Sequence, residues 1–263
     1  MIAVQLRRLR QSKLFYISLL LGVLITSAHY IQTTRTILQG EASTIPDSSY
    51  LLWLNASDSE ITNLFFLLVP ILAALPFSTQ FLVDRKTNYY ELMMMRSGKY
   101  KYLFSMLAVS AFAGFLAIAI PLLINFLLFS LTFPAIHPDP FVYYTQGLFS
   151  FKTLFYSLQL NFPLIHTLFY IFLSGIIGSL FAVFSAALCL HIRFSLISLV
   201  IPVIISILIS GLSELVEVGL SPIDFLDMNA TAPVYLWCIA LFGILMIMLT
   251  FILAIIGVRR LVR

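Results

Sequence analysis

Six long apolar runs set the terms for this chain. They cover 14–30, 64–83, 102–131, 164–190, 194–212 and 233–258, and none contains an Asp, Glu, Lys or Arg. Crossing a bilayer takes about 20 apolar residues, in a range of roughly 17–25. A soluble domain has about 25% charged residues, whereas this chain has 10% charged and 61% hydrophobic residues. No soluble fold of this size hides that much apolar surface. Lipid offers the backbone no hydrogen-bond partner, so only helices or closed barrels span it. The runs are too long and too uniformly apolar for barrel strands, which alternate over about ten residues. The expected fold is an all-α polytopic membrane protein, with six transmembrane helices in a single domain 1–263. The third run is longer than one straight crossing needs, so either Pro121 kinks it or its first turn stands in the cytosol.

The charges between the runs give the orientation. Four Lys or Arg precede the first run, five lie between the second and third, Arg193 lies between the fourth and fifth, and three follow the sixth. Only Arg35 and Lys152 fall on the other side, while Asp84 and Glu91 are the sole acidic residues on the basic side. Cations collect on the cytoplasmic face, so both termini are expected in the cytosol. The alternative start, a cleaved signal peptide ending near Thr26-Ser27-Ala28, is disfavoured because the apolar run continues to Tyr30.

On the other face, 31–63 is polar, 132–163 is aromatic and proline-rich, and 213–232 is acidic. The second of these is expected to lie along the interface. Glu214 and Glu217 share a face if the fifth helix runs on. Asn55-Ala56-Ser57 and Asn229-Ala230-Thr231 match the glycosylation acceptor pattern, but such triplets recur by chance. Cys189 and Cys238 fall near opposite faces, so they are expected to be buried and unpaired.

Several chemistries lack their residues. There is no phosphate-binding GxxxxGK[ST], no HExxH and no GxSxG. The four histidines stand near run ends or in loops, where interfacial roles suffice. With no charge inside a span there is no evident relay for a proton- or sodium-driven carrier. Energy for transport would come from outside the chain, and no enzyme activity is expected of it. The spread of basic residues over loops is a topology signal and gives no reason to expect nucleic acid. Asn125 is the conspicuous polar side chain within a run, expected to bond a neighbouring helix. Ser174, Gly175, Gly178, Ser179, Ala182 and Ser185 mark a close-packing face on the fourth run. Residues 1–13 alternate apolar and cationic side chains, which suits a helix on the inner leaflet or an ordinary basic flank equally.

The longest polar island is 84–101, DRKTNYYELMMMRSGKYK. It holds five basic residues and must emerge into water. Tyr90, Met93 and Met94 stand at i, i+3 and i+4, an apolar stripe on a short helix. Ser97-Gly98 breaks that helix before the third run. Such a helix suits a groove on a cytosolic partner, and methionine adapts to such surfaces. A merely solvated basic loop is the competing reading.

An acidic residue at the exit of the second run, an amphipathic segment, and the turn Arg96-x-Gly98-x-x-x-Tyr102 together resemble the permease subunits of type-two ABC transporters. Compact Gram-positive members look similar around MRSGKYKYLF. The resemblance covers the six-run layout in outline and residues 84–102 in particular. It departs at Asn88-Tyr89, where many members have Gly-Thr. It implies that 84–101 is a coupling loop docking a separate ATPase, with Asp84 and Glu91 at the acidic positions, Tyr90, Met93 and Met94 as the docking face, and Arg96 beside them. It implies two copies of the ATP-binding subunit, a second permease copy or a sister permease, and a bacterial cytoplasmic membrane. ATP and Mg would be bound by the partner, with no cofactor or metal in this chain. Export of a hydrophobic or amphipathic cargo, such as a peptide, lipid or drug, is implied likewise. Phe126, Phe129, Phe133, Phe169 and Phe172 would suit such a cargo. Two rivals remain: an immunity or sensor protein that holds a toxin without turnover, and a membrane-embedded enzyme, which would need facing polar groups that the runs lack.

Overall fold

The computed structural model describes residues 1–39, 48–138, 153–192, 194–230 and 232–260. The fold is all-α. The elements in order are α1 (Ile2–Gln11), α2 (Lys13–Leu38), α3 (Ser49–Leu52), a 3-10 turn (Leu54–Ala56), α4 (Glu60–Ala74), α5 (Gln80–Lys86), α6 (Tyr89–Ser97), α7 (Lys99–Thr132), α8 (Tyr156–Asn161), α9 (Pro163–Leu188), α10 (Ser195–Val216), α11 (Pro222–Leu226) and α12 (Leu236–Arg260). Among the described residues five helices, α2, α7, α9, α10 and α12, are long and apolar enough to cross a membrane.

The second apolar run is the exception. It forms 15-residue α4, then turns at 75–79, then seven-residue α5. The cause is Pro76, which has no N–H to give the carbonyl of Leu72 four residues back. That carbonyl is taken instead by the Ser18 hydroxyl of α2, at 2.6 Å. The same repair recurs at Pro202 in α10. It frees the Ser198 carbonyl, which accepts from the Ser185 hydroxyl of α9 at 2.8 Å. Serines on neighbouring helices thus satisfy carbonyls that lipid would leave bare.

The centre of the bundle is α9, whose apolar stretch is 67% buried against 17% in α10 and 22% in α12. The small-residue face expected there packs against α7. A Cβ on Gly114 of α7 would stand 2.5 Å from the Ala182 Cβ, and one on Gly178 would stand 2.7 Å from Ile118. Neither contact has room for a side chain, so only glycine permits this approach. Ser179 lies off this seam, half-exposed on another face of α9.

Other expectations shift in detail. The first helix continues to Leu38, so His29 is fully buried inside it rather than interfacial. His166 is buried too, its Nε2 2.9 Å from the Leu154 carbonyl. Helix α10 ends at Val216, and Glu217 turns left-handed (φ 56°), so Glu214 and Glu217 do not form a helical pair. Cys189 and Cys238 are both buried and free. The interfacial expectation for 132–163 falls in part on 139–152, outside the described residues.

The segment 48–57 is no solvent loop. Trp53, Leu54 and Asn55 have no exposed surface. Ser49 N–H donates to the Pro134 carbonyl at 3.2 Å and the Ser48 hydroxyl to Ile136 at 2.9 Å. Complete burial of Asn55 also removes it as a glycosylation acceptor in the folded chain.

Candidate docking site at the basic end of the bundle

The basic island folds as two short helices, each followed by a joint of positive φ. Helix α5 ends at Lys86, and Asn88 then adopts φ 54°. Asparagine tolerates this region better than most residues. Helix α6 follows, and Gly98 (φ 81°) joins it to α7. The breaker read at Ser97-Gly98 is therefore the α6–α7 joint, and the conformation is one that favours glycine.

Asp84 anchors this hairpin. It has no exposed surface. Arg8 of α1 grips it with both guanidinium nitrogens, Nη1 lying 2.9 Å from Oδ2 and Nη2 bonding Oδ1. Tyr102 Oη donates to Oδ2 at 2.5 Å and Gln80 Nε2 to Oδ1 at 3.3 Å. The Arg8 guanidinium also lies over the Tyr89 ring, 4.7 Å from its centroid. Four helices, α1, α5, α6 and α7, therefore meet at one ion pair. Burial works against the charge on Arg8, but the hydrogen bond and field of Asp84 outweigh it and push the pKa above its usual value. No other ion pair within 4 Å occurs among the described residues.

The expected docking stripe faces the other way. Tyr90, Met93 and Met94 are half-buried and pack on the protein's own second hydrophobic cluster, which includes Phe77, Phe81, Tyr102 and Met106. Tyr90 meets Phe81 edge-on, with centroids 6.1 Å apart. The periodicity located an apolar stripe but not its covering, and the nearest apolar surface was the bundle itself. The outward face of α6 is Glu91, Leu92, Met95 and Arg96, with Leu92 63% and Met95 77% exposed. Of the six expected docking residues, only Glu91 and Arg96 stand on it. Asp84 belongs to the interior. Sequence reasoning missed Arg8 and Tyr102 as its partners. The signal was present in α1: Gln5, Arg8 and Leu9 share one helical face, apart from Arg7 and Arg10.

Asn125, at the far end, bonds as expected to a neighbouring helix and more. Its Oδ1 accepts from Leu54 N–H at 2.9 Å, and its Nδ2 donates to the Thr26 carbonyl at 2.8 Å. Asn55 Nδ2 donates to the Leu226 carbonyl at 2.8 Å, and Asn229 Nδ2 to Ala56 at 2.7 Å. Segments 48–57 and 226–229 are thereby sewn into the bundle. Of the expected cargo phenylalanines, Phe126 and Phe129 are core residues and Phe172 is exposed. Phe133 and Phe169 are half-buried against the core. No group of three or more potential metal ligands assembles among the described residues. No known protein family, curated protein or solved structure significantly matches this chain.

Proposed function

We propose that this chain is the membrane-spanning permease subunit of a type-two ABC transporter in a bacterial cytoplasmic membrane. In this reading α4 and α5 make one broken crossing, the sixth, and both termini are cytosolic. A separate ATPase docks on 84–101, and ATP with Mg binds there and not in this chain. Two such ATPases serve a pair of permeases, either two copies of this chain or this chain and a sister subunit. Their closure moves the hairpin, and export of a hydrophobic or amphipathic cargo follows.

The observation that carries the reading is the handle-like seating of α6. One stripe of α6 is packed on the bundle, and its neighbour α5 is fixed through Asp84 to α1 and α7. The opposite stripe, Glu91, Leu92, Met95 and Arg96, is left without a covering in the isolated chain. A force on that stripe would pass into α1, α5 and α7 through one buried ion pair. Asn88 stands where the family often has glycine, and its left-handed backbone is one glycine would accept.

The test is affinity purification from native membranes followed by mass spectrometry. An ATP-binding subunit is expected to co-purify with the unaltered chain. The double substitution Leu92→Glu/Met95→Glu should abolish its recovery while the permease still reaches the membrane. Undiminished recovery would discard the outward stripe as the docking face. Absence of any nucleotide-hydrolysing partner would discard the transporter reading.

A further inference from the structure

A groove of about 280 Å³ runs along one flank of α9, between α7 and α12. Its walls include Leu107 and Ala111 of α7, Leu180 and Val183 of α9, and Ile247 and Phe251 of α12. The last two are 59% and 65% exposed, so the groove opens on the apolar belt and not on the bundle interior. Two hydroxyls line it, and each has already committed its proton. Ser179 donates to the Ile176 carbonyl and Thr250 to the Met246 carbonyl, each at 2.7 Å. An occupant therefore finds a wall that is mostly carbon and no free hydroxyl proton. At this volume, at or below the small end of drug-sized pockets of roughly 300–1,000 Å³, one hydrocarbon chain is the fitting guest.

Charge distinguishes which hydrocarbon chain. Lys101 precedes Leu107 by six residues on α7, and Arg259 follows Ala254 of the same groove by five on α12. Along the helix axes, at 1.5 Å per residue, they lie roughly 9 Å and 7.5 Å past Leu107 and Ala254, and about a third of a turn round from them. Both are exposed. Neither described acidic residue at this end pairs with them: Asp84 is buried under Arg8, and Glu91, which accepts from Tyr90 at 2.8 Å, makes no ion pair within 4 Å. We propose that this groove holds an acyl chain of an anionic membrane phospholipid, whose headgroup phosphate rests near Lys101 and Arg259. The site is independent of the docking stripe and of the transport reading.

The experiment is native mass spectrometry of the full chain in detergent, offered equal amounts of phosphatidylglycerol and phosphatidylcholine with identical acyl chains. Phosphatidylglycerol should be retained at least about fivefold over phosphatidylcholine, the discrimination that one surface cation near an anionic lipid supplies. Ala111→Phe fills the groove and should abolish retention of both lipids. Lys101→Gln/Arg259→Gln lies outside the helix packing and should remove the preference without removing binding. Ile207→Phe, on the exposed face of α10, should behave as the unaltered chain. Equal retention of the two lipids by the unaltered chain overturns the proposal. So does full retention by Ala111→Phe, or an Ala111→Phe effect on copy number instead of on lipid. Should Ala111→Phe fail to fold, the Lys101→Gln/Arg259→Gln result decides alone.

Discussion

At the basic end of the bundle, a carboxylate with no exposed surface is held by an arginine, a tyrosine and a glutamine from three other positions in the chain. At the far end, Asn55, Asn125 and Asn229 do the fastening, and each bonds a backbone group. Both ends thus pin a short segment against long helices, but with different failure modes. An ion pair out of water depends on both partners, because either one alone is a stranded charge. A neutral amide loses only its own hydrogen bonds, and the unfolded chain in a membrane finds partial replacements. The basic end is therefore built to be all-or-none, and the far end to yield bond by bond. A segment that transmits force would gain from the first property.

The largest expected effect breaks the first of these. Arg8→Ala leaves Asp84 buried with no cation, a change that costs roughly 3–5 kcal/mol in fully buried pairs. Arg8 is itself 23% exposed, so the loss should fall near or below the lower bound, about 2–3 kcal/mol. Thermal unfolding of the detergent-solubilised chain would measure it, and limited proteolysis should open at 84–101 first. Arg8→Lys should not restore the wild-type value, because an ammonium cannot form the paired bonds. The corresponding break at the far end is Asn125→Leu. It strands the Leu54 N–H, leaves the Thr26 carbonyl with its helical bond alone, and should cost about 1–2 kcal/mol. If the asparagine proved costlier than the arginine, the contrast between the ends would be inverted.

How much of this was legible follows from the same contrast. The apolar runs gave five long helices, because twenty uncharged residues have few other options. Asn125 was recognised because a primary amide inside such a run must find partners. The break in the second run was less visible. Pro70 and Pro76 both lie in it, yet Pro70 stays within α4 and only Pro76 coincides with a turn. The carbonyl that Pro76 frees is served by Ser18, 54 residues away, a partner that no local pattern announces. The α6 stripe was found but turned outward, since spacing reports a face and not what covers it. Asp84 was singled out, but its partner lies 76 residues earlier. Burial of Asn55 had no local signal at all, because its segment reads as polar loop.

A medium effect sharpens the far end. Asp227 follows α11, and burial pushes its pKa up to about 6, with the neighbouring Asp58 and Asp224 carboxylates adding to the shift. Its Oδ1 accepts from Asn229 N–H at 2.7 Å. The folded state therefore holds this proton more tightly than the unfolded chain, whose Asp titrates near 3.9. The stabilisation is complete below about pH 4 and is lost as pH rises through about 6. Asp227→Asn keeps the acceptor oxygen and removes the charge. It should raise stability at pH 7 by up to about 2 kcal/mol, discounted for partial exposure, and flatten the melting temperature between pH 4 and 6. A variant whose melting temperature still fell across that interval would place the titration elsewhere.

The smallest effect on stability bears most on function. Leu92 and Met95 point into solvent from a helix whose other stripe is packed, so replacing both with Glu removes little buried area. Surface substitutions of this kind usually stay within about 0.5 kcal/mol. The inward stripe should behave differently: Met93→Ala/Met94→Ala takes apolar side chains from a half-buried contact and should cost roughly 1–2 kcal/mol. Unfolding of the two double variants side by side separates the faces. If the outward pair were as destabilising as the inward pair, α6 would be embedded on both sides and could not serve as a handle. If the outward pair left stability alone yet also left partner recovery alone, the handle would be intact but grasped elsewhere. Only silence in stability together with loss of the ATPase identifies Glu91, Leu92, Met95 and Arg96 as the surface a partner holds.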